Sequence, residues 1–340
     1  MDTLLTNKRI LVAGGGGFIG GHLVKHLSLK KNFLRVVDIK PIKYWFQFFD
    51  NSENISLDLK DYNDCIKMTK NVDYVFNMAC NMGGMGFIEN NKAECMISVL
   101  INTNLLRACI ENKVKKYFFS SSACVYNTSK QEKTFIKGLK EEDAYPAQPE
   151  DGYGWEKLFS ERMCRHFYED YNLETRIARY HNVYGPFGTF DGGREKAPAA
   201  ICRKIAEAKI NNLPNIDIWG DGEQTRSFLY IDDCIEGTLR LFNSNFREPM
   251  NIGSDEQVSI NQMADIIQAH AGIKLNRNYQ LDKPKGVRGR SSDNTLSKKT
   301  LDWSYNISLN DGLKNIYDWI YKMLLSEESS KEKFIKSSIE

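Results

Sequence analysis

Tyr153 and Lys157 stand four residues apart, and this pair of residue types has a definite acid–base chemistry. Side chains at that spacing share one face of a helix, so a phenol and an ammonium would lie side by side. A free phenol has a pKa of about 10, and a neighbouring cation lowers this pKa by favouring the phenolate. A phenolate of this kind can take the proton of a hydroxyl group while the carbon that carries it is oxidised. The pair is common by chance, so its meaning depends on the other motifs.

A glycine-rich turn near the start of the sequence predicts a dinucleotide site. Gly14, Gly17 and Gly20 follow a strand-like run and open a helix-like segment, where glycine lets the backbone approach a pyrophosphate. Asp38 ends the next strand-like run, where a carboxylate accepts from ribose hydroxyls and repels a 2′-phosphate, so NAD is favoured over NADP. For Asp58, a solvated strand-end carboxylate is an equal alternative. The predicted NAD contacts are Gly14, Gly17, Phe18, Ile19, Gly20, Asp38, Asp58, Leu59, Tyr153 and Lys157.

The elements that must position these residues alternate along the chain. Strand-like runs lie at 8–13, 33–39, 55–59, 72–78 and 116–121, and helix-like segments lie at 18–29, 61–70, 93–111 and about 153–171. The pattern predicts an α/β fold, a Rossmann doubly wound parallel sheet with a smaller C-terminal substrate-binding lobe. We expect the NAD-binding domain at 1–184 with a returning segment at about 228–256, the lobe at 185–227 and 257–325, and a fraying polar tail at 326–340.

The composition argues against several other classes of protein. The net charge of +2 is nearly balanced, so a nucleic-acid partner is not expected. No uninterrupted apolar run reaches about 18 residues, so no membrane span is expected. The polar start of the chain lacks the apolar core of a secretory signal, which favours a cytoplasmic location. The eight cysteines form no C-x-x-C pair and the five histidines no metal spacing, so we expect free thiols and no metal.

Six further stretches of the sequence indicate a particular protein family. They are residues 81–88 (NMGGMGFI), 121–126 (SSACVY), 181–188 (HNVYGPFG), 192–200 (GGREKAPAA), 219–228 (WGDGEQTRSF) and 287–294 (VRGRSSDN). With the glycine turn and the Tyr/Lys pair, their order resembles the extended short-chain dehydrogenase/reductase superfamily. Within that superfamily they closely resemble the GDP-mannose 3,5-epimerases, and the resemblance covers nearly the whole chain.

The resemblance implies an isomerase that epimerises GDP-mannose at C3 and C5 to GDP-L-galactose and GDP-L-gulose, through transient oxidation at C4 by bound NAD. It assigns Ser122 to the substrate hydroxyl beside Tyr153, and Cys124 and Lys196 to the acid–base pair. A thiol with a pKa of about 8.5, lowered by neighbouring cations, is a reasonable base. A partly desolvated lysine has a lowered pKa and can deliver a proton. Which of the two acts as base at each centre stays open, as does whether C3, C5 or both are inverted.

The remaining contacts to the sugar nucleotide also follow from the resemblance. The arginines are candidates for the two phosphates because their forked donors match phosphate oxygens, although any one of them could be a surface arginine. Relatives commonly pair through two helices of the Rossmann domain, which predicts a homodimer through segments 93–111 and 153–171. The predicted substrate contacts are Gly83, Met85, Ser122, Asn182, Glu195, Lys196, Gln224, Arg226, Arg288 and Arg290.

Two alternatives remain. The first is another NAD-dependent sugar-nucleotide epimerase of the same fold, acting at C4 or at C5 alone. A C4 epimerase needs only Tyr153, Lys157 and Ser122 with a small residue at position 124, and it would leave Lys196 unexplained. A 4,6-dehydratase would need an acidic pair at positions 123 and 124, where the chain has alanine and cysteine. The remote alternative, a catalytically inactive NAD-sensing protein, is disfavoured because the Ser/Tyr/Lys set is intact.

Overall fold

The computed structural model describes residues 5–326 of the chain. Its first half alternates strands and helices as the sequence predicts. In chain order these elements are β1 (Arg9–Ala13), α1 (Phe18–Ser28), β2 (Phe33–Asp38), β3 (Glu53–Ser56), α2 (Tyr62–Thr69), β4 (Tyr74–Asn77), α3 (Met85–Asn90), α4 (Lys92–Ile97), α5 (Val99–Glu111), β5 (Lys116–Ser122), α6 (Tyr153–Tyr171) and β6 (Glu174–Tyr180).

The second half has shorter strands between its helices. Its elements are β7 (Val183–Tyr184), α7 (Ala197–Ile210), β8 (Asn215–Trp219), β9 (Thr225–Ser227), β10 (Leu229–Tyr230), α8 (Ile231–Asn243), β11 (Met250–Ile252), β12 (Gln257–Ser259), α9 (Ile260–Ala271), β13 (Asn276–Gln280), β14 (Gly289–Arg290), α10 (Thr295–Leu301) and α11 (Leu309–Leu325). The predicted division into domains stays a prediction. Residues 327–340 of the predicted polar tail lie outside the described residues.

Seven parallel strands form the central sheet in the order β11, β6, β5, β4, β1, β2, β3. Strand β11 joins the edge of this sheet beside β6. In the chain it comes after β7, β8, β9 and β10, which belong to the small sheets. Three small sheets, β7 with β10, β8 with β13, and β9 between β12 and β14, lie outside it. The predicted Rossmann fold is confirmed. Strand β3 spans Glu53–Ser56 rather than the predicted 55–59, and residues 57–60 line the cavity described below instead of continuing the strand.

Each face of the central sheet builds its own core. On β5, Tyr117 and Phe119 lie in one core and Phe118 in the other, because successive side chains of a strand alternate between faces. Phe118 packs at 5.5 Å from Phe76, whose ring centroid lies 4.4 Å from that of Phe242 on α8. Helices therefore cover both faces of the sheet, and the strand ends are left to carry the site.

The helix predicted at 93–111 is two helices joined at Ser98, whose buried hydroxyl accepts from the backbone N–H of Asn81 at 2.8 Å. Among residues 5–326, Lys92–Glu111 is the one helical segment long and apolar enough to cross a membrane by length and composition alone. Its mean hydropathy is 1.3, with 39% of that window buried. Polar residues interrupt the apolar run of this segment, which is why no membrane span is expected from the sequence. In the fold it packs on α6 and α2.

Phe76→Ala should lower the free energy of unfolding by about 3–5 kcal/mol, because it removes a fully buried ring from between two aromatic neighbours. Urea unfolding followed by circular dichroism measures the change. The matched control is Phe135→Ala, whose ring is 62% exposed and whose loss should cost less than about 0.5 kcal/mol. Equal effects of the two substitutions would contradict this account of the core.

Candidate active site

The glycine turn between β1 and α1 brings a helix N-terminus close to the ends of the strands. Gly14 has a φ of +78°, and a Cβ added there would lie 2.7 Å from the backbone N of Ala79. A Cβ added at Gly20 would lie 2.1 Å from the carbonyl oxygen of Gly14, so the helix passes the turn too closely for a side chain. No side chain caps α1 at Gly17, which leaves its first N–H groups able to donate to a phosphate.

A cavity of about 390 Å³ runs from this turn across the carboxyl ends of the central strands. It has the position at which open α/β sheets bind their ligands. Of the predicted NAD contacts, Lys157 is not part of the lining and lies behind Tyr153. The predicted contacts that line the cavity are Gly14, Gly17, Phe18, Ile19, Gly20, Asp38, Asp58, Leu59 and Tyr153.

Asp38 has the position expected of a ribose acceptor. Its carboxylate is buried at the end of β2, accepts from the backbone N–H of Lys40 at 3.0 Å, and faces the turn, 3.9 Å from where a Cβ on Gly17 would be. Burial raises the pKa of Asp38, against the opposing effect of Lys40 and of backbone N–H groups. Donation from ribose hydroxyls would favour the charged form. The turn, the uncapped helix and this carboxylate therefore fit NAD.

The N-terminus of α6 packs directly on the turn that follows β5. The helix begins at Tyr153, after Gly152 with a φ of +69°. A Cβ added at Gly154 would lie 2.4 Å from the carbonyl oxygen of Cys124, so only glycine allows this contact. Tyr153 and Ser122, which ends β5, line the same cavity. The predicted Ser/Tyr pair therefore meets.

Lys157 is fully buried one helical turn beyond Tyr153. Its Nζ lies 5.5 Å from the ring centroid of Tyr153, 4.7 Å from that of Phe119, and 3.4 Å from the carboxylate of Glu156. Burial lowers the pKa of Lys157, but Cys80 and Glu156 together outweigh burial and the pKa is raised. Lys157 is therefore a cation held against the phenol.

The pKa of Tyr153 is dominated by burial. Burial raises it well above its ordinary value, and the hydrogen bond with Ser122 opposes this only in part. In the protein chain alone, removing the phenol from water disfavours phenolate more strongly than its neighbours favour it. The predicted lowering of this pKa by Lys157 together with the nicotinamide ring stays a prediction.

Cys124 lies in a short 3₁₀ turn that follows β5, and the hydroxyl of Ser122 accepts from its backbone N–H at 3.2 Å. The thiol is buried, and Nη1 of Arg290 donates to its sulfur at 3.6 Å. Burial raises the pKa of Cys124 to about 12, assisted by Glu150 and opposed by Arg290. The prediction of a lowered thiol pKa is therefore wrong, because desolvation and a carboxylate together outweigh one guanidinium.

Lys196 lies in the cavity wall, directly before α7. Burial lowers the pKa of Lys196, and the charge of Cys124 acts in the opposite direction. The lowered pKa agrees with the sequence prediction for a desolvated lysine. Lys196 lines the same cavity as Ser122 and Tyr153.

The methionine-rich loop after β4 is tied to the segment that carries Lys196. Nη1 of Arg194 donates to the side-chain oxygen of Asn81 at 2.7 Å, and its guanidinium lies 3.8 Å from the ring centroid of Phe87. Gly83 and Met85 belong to this loop but do not line the cavity. Their predicted contact with substrate stays a prediction.

The three predicted phosphate-binding arginines lie outside the cavity lining and already have protein partners. Arg226 is buried and donates to the backbone carbonyl of Lys285 at 3.1 Å. Arg288 pairs with Asp221 at 2.9 Å. Arg290 is buried beside the Cys124 thiol and does not lie at an open surface. Phosphate binding by these residues stays a prediction.

Three further predicted contacts also lie away from the cavity lining. The amide of Asn182 donates to the carbonyl of Ser227 at 2.9 Å, and Glu195 accepts at 2.7 Å from a backbone N–H of its own loop. Gln224 donates to the carbonyl of Trp219 at 3.0 Å. The buried side-chain oxygen of Gln224 has no hydrogen-bond partner among residues 5–326, so it could accept from a ligand.

Glu150 is a residue of the site that sequence reasoning missed. Its carboxylate is buried and lies 3.1 Å from Nη2 of Arg290. The only sequence signal is an acidic residue three positions before Tyr153, which is as typical of a solvated loop as of a site.

The glycine turn, the cavity and the group formed by Ser122, Tyr153 and Lys157 define a Rossmann-fold enzyme of the short-chain dehydrogenase class. The model for the NAD dependent epimerase/dehydratase family matches residues 10–253, and the chain belongs to this family. It is 46% identical over 322 residues to GDP-mannose 3,5-epimerase 1 of Oryza sativa subsp. indica, covering 94% of this chain and 84% of that relative. It is 44% identical over 324 residues to GDP-mannose 3,5-epimerase of Arabidopsis thaliana, covering 95% and 85%. The resemblance seen in the motifs is thereby confirmed.

Solved structures agree on the fold and the cofactor. The UDP-glucose 4-epimerase of Thermotoga maritima, solved with UDP-glucose, matches with a TM-score of 0.83 and 26% identity over 93% of this chain and 99% of that one. The UDP-glucuronic acid 4-epimerase of Bacillus cereus, solved with UDP-glucuronic acid and NAD, matches with a TM-score of 0.79 and 27% identity over the same shares. The cofactor of this chain is NAD.

Gly20→Ala should reduce the NAD content of the purified protein at least about ten-fold, a change of roughly 1.4 kcal/mol in binding. A Cβ at this position must displace the backbone of Gly14, which lies 2.1 Å away. The matched control is Gly21→Ala, whose added Cβ meets only the movable end of Gln47 at 2.8 Å. NAD released by acid and measured enzymatically gives the result. Full NAD content in Gly20→Ala would contradict the proposed pyrophosphate turn.

Proposed function

We propose that the chain epimerises GDP-mannose at C3 and C5, giving GDP-L-galactose and GDP-L-gulose. The observation that supports this most strongly is the position of Lys196 in the wall of the cavity that Ser122 and Tyr153 also line, with Cys124 packed against Tyr153. A sugar oxidised at one carbon can be inverted at the neighbouring carbons only if proton carriers such as these are at hand.

Oxidation at C4 is the first step. Ser122 and Tyr153 hold the C4 hydroxyl, and Tyr153 takes its proton. Bound NAD supplies the hydride acceptor, and its positively charged ring favours the phenolate. Buried Lys157 stabilises that phenolate as it forms. In the last step C4 regains the hydride from the reduced cofactor, and Tyr153 returns its proton to O4, so there is no net oxidation.

Inversion follows from the ketone at C4. The C–H bonds at C3 and C5 become acidic, because loss of either proton gives an enolate. One of Cys124 and Lys196 removes the proton from one face of the sugar, and the other delivers a proton to the opposite face. Both side chains have pKa values moved toward their neutral forms by burial, so the site can hold a thiol and an amine together.

The relatives support the choice of substrate. Two proteins named GDP-mannose 3,5-epimerase share 44–46% of their residues with this chain over nearly its full length. The structural neighbours, solved with UDP-glucose and UDP-glucuronic acid, support a sugar nucleotide as the ligand class.

The direct test is incubation of the purified protein with GDP-mannose in D2O without added NAD, followed by NMR and chromatography. We expect deuterium at C3 and C5 and formation of GDP-L-galactose and GDP-L-gulose. Inversion at C4 alone, or turnover only of other sugar nucleotides, would overturn the proposal and favour a related epimerase.

Two substitutions distinguish the oxidation at C4 from the inversion at its neighbours. Cys124→Ala should lower epimer formation at least about a thousand-fold, as expected for loss of a proton carrier, while retaining NAD. Tyr153→Phe should abolish both epimer formation and the transient reduction of bound NAD, which absorbance reports. Normal turnover by Cys124→Ala would remove the thiol from the mechanism.

We also propose a homodimer formed through α4, α5 and α6. These helices pack side by side and leave large apolar side chains exposed, which marks an interaction surface. The exposed large apolar residues on these helices are Met96, Ile97, Leu100, Trp155, Phe159 and Tyr171.

Leu100→Asp combined with Phe159→Asp should convert the dimer to a monomer, because each places a charge in an apolar interface. These side chains are 46% and 54% exposed in the single chain. Analytical ultracentrifugation measures the mass. The control is Leu281→Asp, at a side chain that is 63% exposed on another surface. A wild-type protein that sediments as a monomer would overturn the proposal.

A further inference from the structure

We propose that Trp45 is a positioning residue that sets the selectivity of the cofactor site for NAD over NADP. Its indole holds residues 38–40 against the glycine turn, so that Asp38, and not Lys40, meets the adenosine ribose. Only the binding of the cofactor is involved, so the identity of the sugar substrate does not enter.

The cavity wall at the end of β2 carries two opposite charges. Asp38 and Lys40 both line the cavity, and they are two residues apart on the segment that leaves this strand. A carboxylate here accepts from the ribose hydroxyls and repels a 2′-phosphate, whereas a nearby cation accommodates that phosphate. The chain therefore has a group suited to each cofactor, and the conformation of residues 38–40 decides which of them faces the ribose.

Two hydrogen bonds fix this conformation, and both are made by the backbone of Lys40. Its N–H donates to the carboxylate of Asp38 at 3.0 Å, and its carbonyl oxygen accepts from Nε1 of Trp45 at 2.9 Å. Pro41 follows, and a proline restricts the residue before it to extended backbone. Since the peptide groups on both sides of Lys40 are held, this residue has little freedom to turn toward the ribose.

The indole ring also contacts the glycine turn. A Cβ added at Gly16 would lie 2.4 Å from Cε2 of Trp45, so the ring packs directly on the backbone of this glycine. Gly14 and Gly17, on either side, line the cavity. Trp45 is only 6% exposed. One buried side chain therefore contacts both the turn that would receive the pyrophosphate and the segment that carries the ribose carboxylate, and it fixes the distance between them.

The segment that carries Trp45 is itself anchored on both sides of the tryptophan. Before it lies a short 3₁₀ turn, Ile42–Tyr44, and the backbone N–H of Trp45 donates to the first carbonyl of this turn at 3.0 Å. After it, Gln47 packs on α1, where a Cβ added at Gly21 would lie 2.8 Å from the Gln47 amide nitrogen. The indole is therefore a rigid spacer, because its own backbone is held in place.

Release of residues 38–40 would affect the two cofactors differently. Without the indole N–H, the carbonyl of Lys40 loses this donor and the segment can rotate at the end of β2. NAD then loses an acceptor for its ribose as Asp38 turns away, whereas NADP loses a repulsion and gains the approach of a cation. A purely structural defect would weaken both cofactors by the same factor. The ratio of the two affinities therefore distinguishes a positioning role from a structural one.

The test uses the purified holoenzyme without any sugar. The protein is equilibrated with NAD and NADP at equal free concentrations and separated from unbound nucleotide by rapid gel filtration, and the cofactors released by acid are measured by mass spectrometry. Trp45→Phe keeps a ring against Gly16 but removes the indole N–H. The bound ratio of NADP to NAD should then rise at least about five-fold, as expected for the loss of one hydrogen bond. An unchanged ratio would overturn the proposal.

A matched control and a second substitution assign the cause. Trp303 is also buried, at 2% exposed, but it packs on α8 and is not part of the cavity lining, so Trp303→Phe should leave the ratio unchanged. Adding Lys40→Ala to Trp45→Phe should remove most of the gain in bound NADP. Persistence of the whole gain would contradict the part assigned to Lys40.

Lys40→Ala alone keeps the proposal testable if Trp45→Phe fails to fold. In the otherwise wild-type protein this lysine is held away from the ribose, so its removal should change the bound ratio of NADP to NAD by less than about two-fold. A larger fall in the share of NADP would mean that Lys40 already serves the 2′ position, and this result would overturn the proposal.

Discussion

The close contact between the N-terminus of α6 and the turn after β5 is the constraint on which the rest of the site depends. Gly154 permits this contact, since a Cβ there would lie 2.4 Å from the carbonyl oxygen of Cys124. The contact brings Tyr153 to Ser122 and buries Lys157 against the phenol. A helix that stood even one methyl group farther away would separate the oxidising group from the end of the sheet.

Burial then determines the chemistry of the groups that this contact assembles. Desolvation acts against the charged form of every titratable side chain, so it raises the pKa of Tyr153 and of Cys124 and lowers that of Lys196. The site therefore favours a neutral phenol and a neutral thiol, and burial works against the positive charge of Lys196. The fixed charges are those with partners, such as Lys157 with Glu156 and Arg290 with its carboxylate.

The smaller sheets matter because they deliver side chains from distant parts of the chain to this buried group. Strands β9 and β14 pair in parallel and carry Arg226 and Arg290. The loop before α7 brings Lys196, and the bond between Arg194 and Asn81 ties this loop to the end of β4. This buried group is thus completed by segments that come after β6 in the chain, when six of the seven strands of the central sheet have already been formed.

The sequence alone determined the features that depend on local pattern. Alternating apolar runs predicted the parallel sheet, and the spacing of Gly14, Gly17 and Gly20 predicted the dinucleotide turn, because these patterns reflect neighbours within one or two elements. The motifs also indicated the family, and with it Cys124 and Lys196.

Only the tertiary structure decided the electrostatics. Glu150 and Arg290 are 140 residues apart in the chain and meet beside Cys124, so no local pattern could reveal the pair. The thiol pKa was predicted in the wrong direction for the same reason. A sequence shows which charges are present, but the extent of desolvation, and whether a cation near a thiol already has a carboxylate partner, depends on how distant segments pack together.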